Sequence, residues 1–448
     1  MIVVLMALAQ QPTQADTTRP QGRPCQIAVD SVGHYGRQTI GAAGDTNYFA
    51  GGGVLAHCNG TSTSFSSDSV AWYSGQRRFD MIGRVKIRDT SLALDANLAY
   101  YYLREERLEA HNNVVAKNRS NGSTLRGPNL NYLRAAPGIR DTLEMFATQR
   151  PTIEYRGQAD SSEPYVIVGD RVHFKGNDRM WSGGNVTVDR SDLAARADSM
   201  AMDQTTGLAV LIGKPKVQGK GERSYTLVGT RIELLQSDHE LKQVDARGAG
   251  QASGADWHLT ADTIRLVLTK SKLQQAFAWG DSSRPHAVST LQTIQSDSLA
   301  LDVPDEVLTE ARAYRRAFST SKRDSTSGPA ETDWIGGDTL TAHWVQAPDS
   351  TGHAKAQLQR LVARGSARAL THHYDAKDKT QPPAIDYSRG KQIAITMIGD
   401  KVDRVLVSGQ ADGVHLTPRP PVDTTKKHAA DSTHRARPPA PPAPKRRP

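Results

Sequence analysis

The sequence is short of the residues that build a thick hydrophobic core. Of its 448 residues, 37% are hydrophobic and 6% aromatic, and the mean hydropathy is −0.54. Average soluble chains are about 45–50% apolar, so a multilayered globular core is not expected. Beyond residues 1–9, no window approaches the roughly 20 apolar residues that a membrane-spanning helix needs. Short clusters of valine, leucine and isoleucine are spread evenly along the chain, and they favour an elongated, thin-cored protein over a disordered one.

Cysteine is also scarce, since only Cys25 and Cys58 are present. There is no CxxC motif and no metal-ligand spacing, so redox catalysis and a metal site are not expected. In an exported protein two cysteines more often pair than stay free. A disulfide between them would tie an N-terminal strand to the body of the chain and contribute on the order of 3 kcal/mol.

The N-terminus indicates export. Residues 1–9 form an apolar stretch that ends in a small-x-small box, which is typical of the end of a secretory signal peptide cleaved after Ala9. The stretch is short and has no positive flank, which is consistent with a start upstream of Met1. An apolar N-terminus without export is the alternative. Residues 10–50 are then predicted to form an N-terminal strand and a linker.

The positive charge is concentrated at the C-terminus. Residues 418–448 contain eight basic and two acidic residues, so they carry +6 of the net +9, and they hold nine of the 23 prolines. Residues 417–448 are therefore predicted to be an extended, solvated tail. The tail either solubilises the protein or attracts it weakly to an anionic envelope surface. The body keeps only +3, which argues against a nucleic-acid partner.

One short pattern recurs ten times along the body. It consists of a small residue, usually Asp, any residue, an apolar residue, any residue and another apolar residue, and Asp fills the second position in six copies. Spacings of 28 to 53 residues indicate insertions into a repeat architecture. The copies begin at Ser67, Ala96, Gly127, Gly169, Ala197, Gly229, Ala261, Ser296, Gly337 and Gly390.

A second recurring unit lies between these copies. An apolar segment runs into a glycine or asparagine and then alternates again, as in residues 181–188, 241–248, 358–365 and 402–409. A variant places a basic residue before proline, at Arg150, Lys214 and Arg284. Alternation with period two predicts strands with one buried face, and mid-strand glycines permit sharp bends. The expected fold is all-β: an elongated antiparallel ladder of about ten two-strand repeats, folded into two facing walls with one apolar seam.

Three segments interrupt or test this pattern. Residues 307–316 have a helix-friendly composition, but their register matches the second unit with an Ala-Arg-Ala corner, so a strand is predicted. Residues 320–332 and 375–383 are rich in Ser, Thr, Gly, Pro and Lys and are predicted to be loops inserted into the repeats.

The repeats resemble a known family. Residues 182–188, 195–202 and 206–217 are similar to the OstA-like (organic solvent tolerance, LptA-type) domain of lipopolysaccharide export, whose repeats read "gly-asn-val … leu-thr-ala-asp-x-leu-x-tyr". The resemblance covers roughly residues 51–416, and an alternative divides this region near residue 160. It implies a V-shaped β-jellyroll, also described as a β-taco, whose open groove holds the acyl chains of lipid A.

The resemblance also implies a function. The expected protein is a periplasmic bridge component that shields acyl chains during transfer to the outer membrane, with association with that membrane as a further option. Its expected partners are lipopolysaccharide or a similar lipid, and other bridge proteins joined through edge strands at the jellyroll ends. The chain is longer than a single bridge protein and lacks the C-terminal barrel of the outer-membrane translocon, so it is not expected to be that translocon.

An acyl chain needs an apolar groove, because each buried methylene contributes about 0.8 kcal/mol. The inward positions of the repeats are the candidates, and the alternative is that they form only the core of a closed β-solenoid. The groove candidates are Val186, Val188, Met200, Met202, Leu208, Val210, Ile232, Leu234, Ile264, Leu266, Leu299, Leu301, Ile393, Ile395, Val405 and Val407.

Catalytic chemistry is not expected, and neither is a cofactor. The recurring Asp residues occupy one repeat position, which predicts corner residues that cap turns through Asx hydrogen bonds. HExxH, P-loop and GxSxG motifs are missing. A carbohydrate-active β-solenoid enzyme would need carboxylates clustered on one face, and a structural scaffold or adhesin with the same fold but without lipid is the other alternative.

Overall fold

The computed structural model describes residues 25–41, 44–156, 163–220, 224–237, 240–255, 257–289, 292–321, 332–348, 354–373, 382–399 and 401–418. Within these ranges thirty strands pair into one antiparallel sheet. No α-helix occurs in them, and η1 (Pro304–Glu306) is a single 3-10 turn. The predicted all-β class is confirmed. The expected signal peptide, nearly all of the basic tail and most of the two expected loops lie outside the described residues.

The strands fall into long and short ones. The long strands are β3 (Thr46–Cys58), β4 (Ser64–Tyr73), β5 (Arg78–Arg88), β6 (Leu92–Tyr102), β7 (Arg107–Asn118), β8 (Thr124–Leu133), β13 (Arg179–Asp189), β14 (Leu193–Asp203), β19 (Glu240–Ser253), β20 (Trp257–Thr269), β25 (Glu310–Ser321), β26 (Trp334–Pro348), β27 (Ala354–His373) and β28 (Ala384–Ile398). The short strands are β1 (Ile27–Val32), β2 (Tyr35–Ile40), β9 (Glu144–Thr148), β10 (Thr152–Tyr155), β11 (Tyr165–Val168), β12 (Arg171–Lys175), β15 (Leu208–Ile212), β16 (Lys216–Gly219), β17 (Thr226–Val228), β18 (Arg231–Ser237), β21 (Lys272–Trp279), β22 (His286–Ser289), β23 (Gln292–Gln295), β24 (Ser298–Asp302), β29 (Lys401–Ser408) and β30 (Asp412–Leu416).

A shift of register near the middle of the long strands divides the sheet into two halves. In β13 and β14, residues 179–183 pair with 199–203, and residues 186–189 pair with 194–197 after the shift. We call the half that contains the first pairing half-sheet A and the other half-sheet B. Short strands follow one another in pairs, one in each half: β15 pairs with β14 in half-sheet A, and β16 pairs with β14 in half-sheet B. This splitting explains why the described strands outnumber the roughly twenty expected from the repeats.

The corners between the halves use left-handed backbone. At most of them, two consecutive residues have positive φ, as at Gly184 (79°) and Asn185 (46°). These φ values confirm the predicted mid-strand bends. Glycine and asparagine reach the left-handed conformation more readily than other residues. Residues 307–316 were predicted to form a strand with a corner at Ala-Arg-Ala. Their predicted strand is confirmed from Glu310 onward, but the corner lies at Arg315 and Arg316 rather than in the Ala-Arg-Ala segment.

The recurring aspartates lie at these corners but make a different contact from the one expected. Asp170 accepts hydrogen bonds from Arg150 Nη1 at 3.0 Å and Asn185 Nδ2 at 3.3 Å, which belong to neighbouring strand segments rather than to its own turn. A Cβ atom at Gly184 would lie 2.3 Å from Asp170 Oδ2. The carboxylate therefore fills the space above the glycine of the adjacent corner. The same packing occurs at four other pairs: Asp68 over Gly83, Asp198 over Gly213, Asp262 over Gly280, and Asp338 over Gly365.

The hydrophobic core is one cluster that extends from Cys25 to Ile395. At its N-terminal end Cys25 and Cys58 are joined by a disulfide with a Cα–Cα distance of 5.1 Å. The ladder also continues past residue 160, because β10 pairs with β11. Since alternate side chains of each strand enter the cluster, a single layer of residues from each half-sheet supplies the core.

Candidate functional site: a row of cavities in the core

A cavity of about 680 Å³ lies between the two half-sheets. Protein interiors contain few voids larger than a water molecule, and pockets that bind small ligands measure about 300–1,000 Å³. This volume is therefore large enough to hold a ligand. Its apolar lining comes from Met200, Met202, Ala209, Leu234 and Leu241 in half-sheet A, and from Tyr155, Tyr165, Ile167, Val188 and Leu193 in half-sheet B.

The rim of this cavity is polar. It is formed by the hairpin turns at the free end of half-sheet A, and its residues are Asn177, Asp178, Asp203, Gln204, Thr205, Thr206, Gly207, Gln236 and Ser237. Turns favour such residues because Asp, Asn and Ser bond to nearby backbone groups; the backbone N–H of Thr205, for example, donates to Asp203 Oδ1 at 2.9 Å. An apolar interior with a polar rim suits an amphiphile.

Two smaller cavities continue the row toward the N-terminus. One of about 80 Å³ shares Tyr155, Asn177 and Gln204 with the large cavity. The other, of about 30 Å³, shares Leu92 and Tyr132 with the second. The three cavities therefore follow the core across successive hairpins.

A buried carboxylate closes the N-terminal end of this row. Glu106 lies in the turn after β6 in half-sheet A and is 2% exposed. It accepts hydrogen bonds from the backbone N–H of Cys25 at 2.9 Å and from the Tyr101 hydroxyl at 2.5 Å. Burial and, to a smaller extent, the negative charge of Glu106 raise the pKa of Tyr101, so its hydroxyl remains a donor. Because the disulfide links Cys25 to β3 in half-sheet B, this contact joins the two halves.

A second group of residues joins the half-sheets at the C-terminal end of the large cavity. Gln236 Nε2 donates to the Tyr165 hydroxyl at 2.6 Å. The Arg190 guanidinium lies 4.1 Å from the centre of the Tyr165 ring and donates to both carboxylate oxygens of Asp192, at 2.6 and 2.7 Å. We call these four residues the clasp.

The pKa values of the clasp residues follow from this environment. Burial raises the pKa of Tyr165 to about 12. Burial would also raise the pKa of Asp192, but hydrogen bonds from Arg190 and from Ser271 outweigh it and hold that pKa below its usual value. Ser271 lies in the turn between β20 and β21 in half-sheet A, so Asp192 makes another contact between the halves.

The structure separates the groove candidates into four groups. Val188, Met200, Met202 and Leu234 line the large cavity. Eight others are buried in the core but line none of the three cavities: Val186, Ile232, Ile264, Leu266, Leu299, Leu301, Ile393 and Ile395. Val405 and Val407 are partly buried against the core on β29, near the C-terminal end of the ladder.

The last two candidates, Leu208 and Val210, do not face the core. Pairing sets Met200 opposite Leu211 and Met202 opposite Ala209, so Leu208 and Val210 point to the other face of the sheet. Their expected inward orientation is wrong. Residues 208–212 are all apolar and carry no alternation of their own, so only the register with β14 decides which side chains enter the core.

Sequence reasoning missed part of the cavity and all of the clasp. Tyr155, Tyr165 and Ile167 alternate along β10 and β11, and this period-two pattern could have identified them. Ala209 could not be assigned to the cavity from the sequence, because residues 208–212 are all apolar and show no alternation. Gln236 and Tyr165 are 71 residues apart, and no local pattern signals a contact between half-sheets.

Fold and site together define an all-β antiparallel ladder that holds an amphiphilic cavity between its two half-sheets. Comparison with family models gives no match, and comparison with curated proteins gives none either. In the part of the chain that the structure describes, no group of three or more His, Cys, Asp or Glu residues could hold a metal ion. The same residues contain no helix that is long and apolar enough to cross a membrane.

Proposed function

We propose that the protein is an exported, non-enzymatic carrier of the lipopolysaccharide-transport bridge type. It would shield lipid A acyl chains in the row of cavities while the sugar part stays at the polar rim, and its two half-sheets would form the V-shaped jellyroll of the OstA-like family. The observation that carries this proposal is the cavity of about 680 Å³ with its apolar lining and polar rim.

The lining suits acyl chains energetically. Burial of ten methylenes contributes about 8 kcal/mol, at about 0.8 kcal/mol each. Met200 and Met202 add flexible, polarisable side chains that adapt to chains of different shape. The Cys25–Cys58 disulfide supports an oxidising compartment such as the periplasm.

The edge strands at the two ends of the ladder favour the proposed partners, which would add strands there. In the described residues β1 and β2 pair only with β3, and β29 and β30 pair only with β28, so each end presents unpaired backbone groups. Large hydrophobic side chains are exposed there, including Val29 at 52% and Leu416 at 56%. Bridge proteins would dock by edge-to-edge pairing.

Site-specific photo-crosslinking tests the proposal. A photoreactive residue at Met200 should capture lipopolysaccharide in cells, because this side chain lines the cavity. A photoreactive residue at Ile264 is the matched control. This position is 0% exposed and lines none of the three cavities, so it should capture no lipopolysaccharide. Absence of lipid at Val188, Met200, Met202 and Leu234 alike would refute the proposal.

A structural scaffold is the second candidate, and one observation favours it. The core beyond the clasp is filled by large, fully buried side chains such as Ile264, Leu266 and Leu259, as in a closed solenoid. Depletion of the protein distinguishes the two functions: accumulation of lipid at the inner membrane supports transport, whereas a purely mechanical or adhesion defect supports the scaffold.

A further inference from the structure

Many arginines on the outer faces of the ladder lie beside carboxylates. Arg84 contacts Asp68 at 2.6 Å, and Arg231 contacts Glu233 at 2.8 Å. On β27 and β29 the described arginines form no such pair, whereas Arg389 on β28 contacts Asp412. Arg360, Arg364, Arg368 and Arg404 are exposed, and the described part of the chain shows no ion pair for any of them. We call these four residues the basic face.

Strand register puts the basic face on the side of the sheet away from the core. On β27 the alternate residues Leu361, Ala363, Ala367 and Ala369 are buried, so Arg360, Arg364 and Arg368 point outward. Arg360 and Arg404 both pair with Thr396, which places them on either side of it in one row. Side chains directly opposite each other lie about 5 Å apart at their Cβ atoms, so Arg360 and Arg404, with Thr396 between them, lie about 10 Å apart on one outer surface.

One pairing in this region is unfavourable by itself. Arg368 lies directly opposite Arg389, and like charges opposite each other destabilise a sheet. Asp412 compensates Arg389 through a hydrogen bond of 2.9 Å, but Arg368 has no such partner in the described residues. An external anion would relieve this repulsion.

The charge of the two ends of the ladder differs in sign. The described residues between 354 and 418 contain eight Lys and Arg against three Asp, a net charge of +5. Those between 25 and 73 contain one Arg against three Asp, a net charge of −2. Residues 418–448, which follow directly in the chain, carry +6. Positive charge is thus gathered at the C-terminal end.

We propose that the basic face docks the C-terminal end of the ladder onto a bilayer surface rich in anionic headgroups. Arginine binds phosphate oxygens in a bidentate manner. Arg360, Arg364 and Arg404 lie together in half-sheet A, and Arg368 follows just beyond the corner at Gly365. Charges spaced along two strands match an extended surface better than a small ion. Leu406 is 56% exposed and shares the face of Arg404, where it can enter the headgroup region.

Vesicle co-sedimentation of the full chain tests this. The protein should bind phosphatidylcholine vesicles that contain phosphatidylglycerol, should not bind pure phosphatidylcholine, and should be released by salt. The variant Arg360→Gln/Arg364→Gln/Arg404→Gln should bind about 100-fold more weakly, because each basic residue near an anionic surface contributes about fivefold. These side chains are exposed, so the variant should keep the circular dichroism spectrum of the wild type.

A control variant with the same charge change separates the basic face from net charge. Arg84→Gln/Arg126→Gln/Arg231→Gln removes three exposed arginines that contact carboxylates, and it should bind vesicles nearly as well as the wild type. Equal weakening of both variants would overturn the proposal. So would binding that depends only on residues 419–448, or binding to heparin without binding to vesicles. The test concerns the outer surface and is independent of lipid in the cavities.

Discussion

Gln236 and Tyr165 form a hydrogen bond of 2.6 Å between the two half-sheets, although 71 residues separate them in the chain. The two strands that carry them, β18 and β11, do not pair with each other. Both side chains line the large cavity, and the contact lies at its polar rim. An amphiphile that enters the cavity between Gln236 and Tyr165 must break this hydrogen bond.

The clasp should therefore slow exchange of a bound amphiphile. Tyr165→Phe removes the hydroxyl but keeps the ring against Arg190, so the loss of one hydrogen bond, about 1 kcal/mol, should speed release about fivefold. Stopped-flow displacement of a fluorescent fatty acid measures this. Tyr155→Phe is the control, because Tyr155 lines the same cavity without a hydrogen bond across it in the described residues. Equal rates for Tyr165→Phe and the wild type would show that the clasp does not limit release.

Filling the cavity should abolish lipid binding without unfolding the protein. Ala209→Trp places a large ring in the space of about 680 Å³ and should reduce co-purified lipid at least tenfold, as mass spectrometry of the purified protein can show. Ala201→Trp is the matched control, because Ala201 pairs with Val210 on the outer face of the same hairpin. If Ala209→Trp retained full lipid content, the lipid would have to bind elsewhere.

The packing of Asp170 over Gly184 predicts a large cost for a methyl group there. Gly184→Ala combines a positive φ of 79° with a contact of 2.3 Å to Asp170 Oδ2. We expect a loss of about 2–4 kcal/mol in the free energy of unfolding, from backbone strain and steric overlap together. Gly53→Ala has a positive φ of 94° but no atom within 4 Å of the new Cβ, so it should lose only about 1–2 kcal/mol. Urea unfolding of both variants measures the difference, and equal losses would contradict the packing argument.

The stabilising contribution of Asp192 should be lost in acid. The hydrogen bonds from Arg190 and Ser271 outweigh burial and hold the pKa of Asp192 below its usual value. Such a carboxylate stabilises the fold above its unfolded pKa of about 3.9, and this contribution is lost as the pH falls through the folded value. Asp192→Asn should therefore flatten the fall in unfolding free energy below about pH 4.

Asp80 provides a control of opposite sign for that measurement. Burial outweighs the hydrogen bonds from Arg78 and raises the pKa of Asp80. The folded state then holds a proton more tightly than the unfolded state, so protonation of Asp80 favours folding as the pH falls. Asp80→Asn should make the acid loss steeper. Denaturant titrations across the acid range measure both slopes, and slopes that change in the same direction would contradict this assignment.

The sequence was sufficient for the strand class and for many of the corners. Period-two alternation and glycines at regular positions identify both, because they reflect local backbone preferences. The basic-proline corners were also correct: β10 and β16 begin just after Pro151 and Pro215, since proline cannot donate to the ladder.

The cavity and the contacts that join the half-sheets at its ends could not be predicted from the sequence. Met200 and Ile264 occupy equivalent repeat positions, yet only Met200 lines the large cavity. The structure also joins the half-sheets through contacts such as Glu106 with Cys25 and Gln236 with Tyr165. Those contacts join residues distant in the chain, so a repeat pattern carries no information about them.

The left-handed corners have a consequence for how such a molecule changes in size. Each corner is complete within two residues, and each hairpin bonds only to the hairpins beside it. Duplication or loss of one hairpin therefore leaves every other corner intact and changes the span in steps of about 10 Å, the width of two strands. The length of such a molecule is then set by gene duplication in whole hairpins rather than residue by residue.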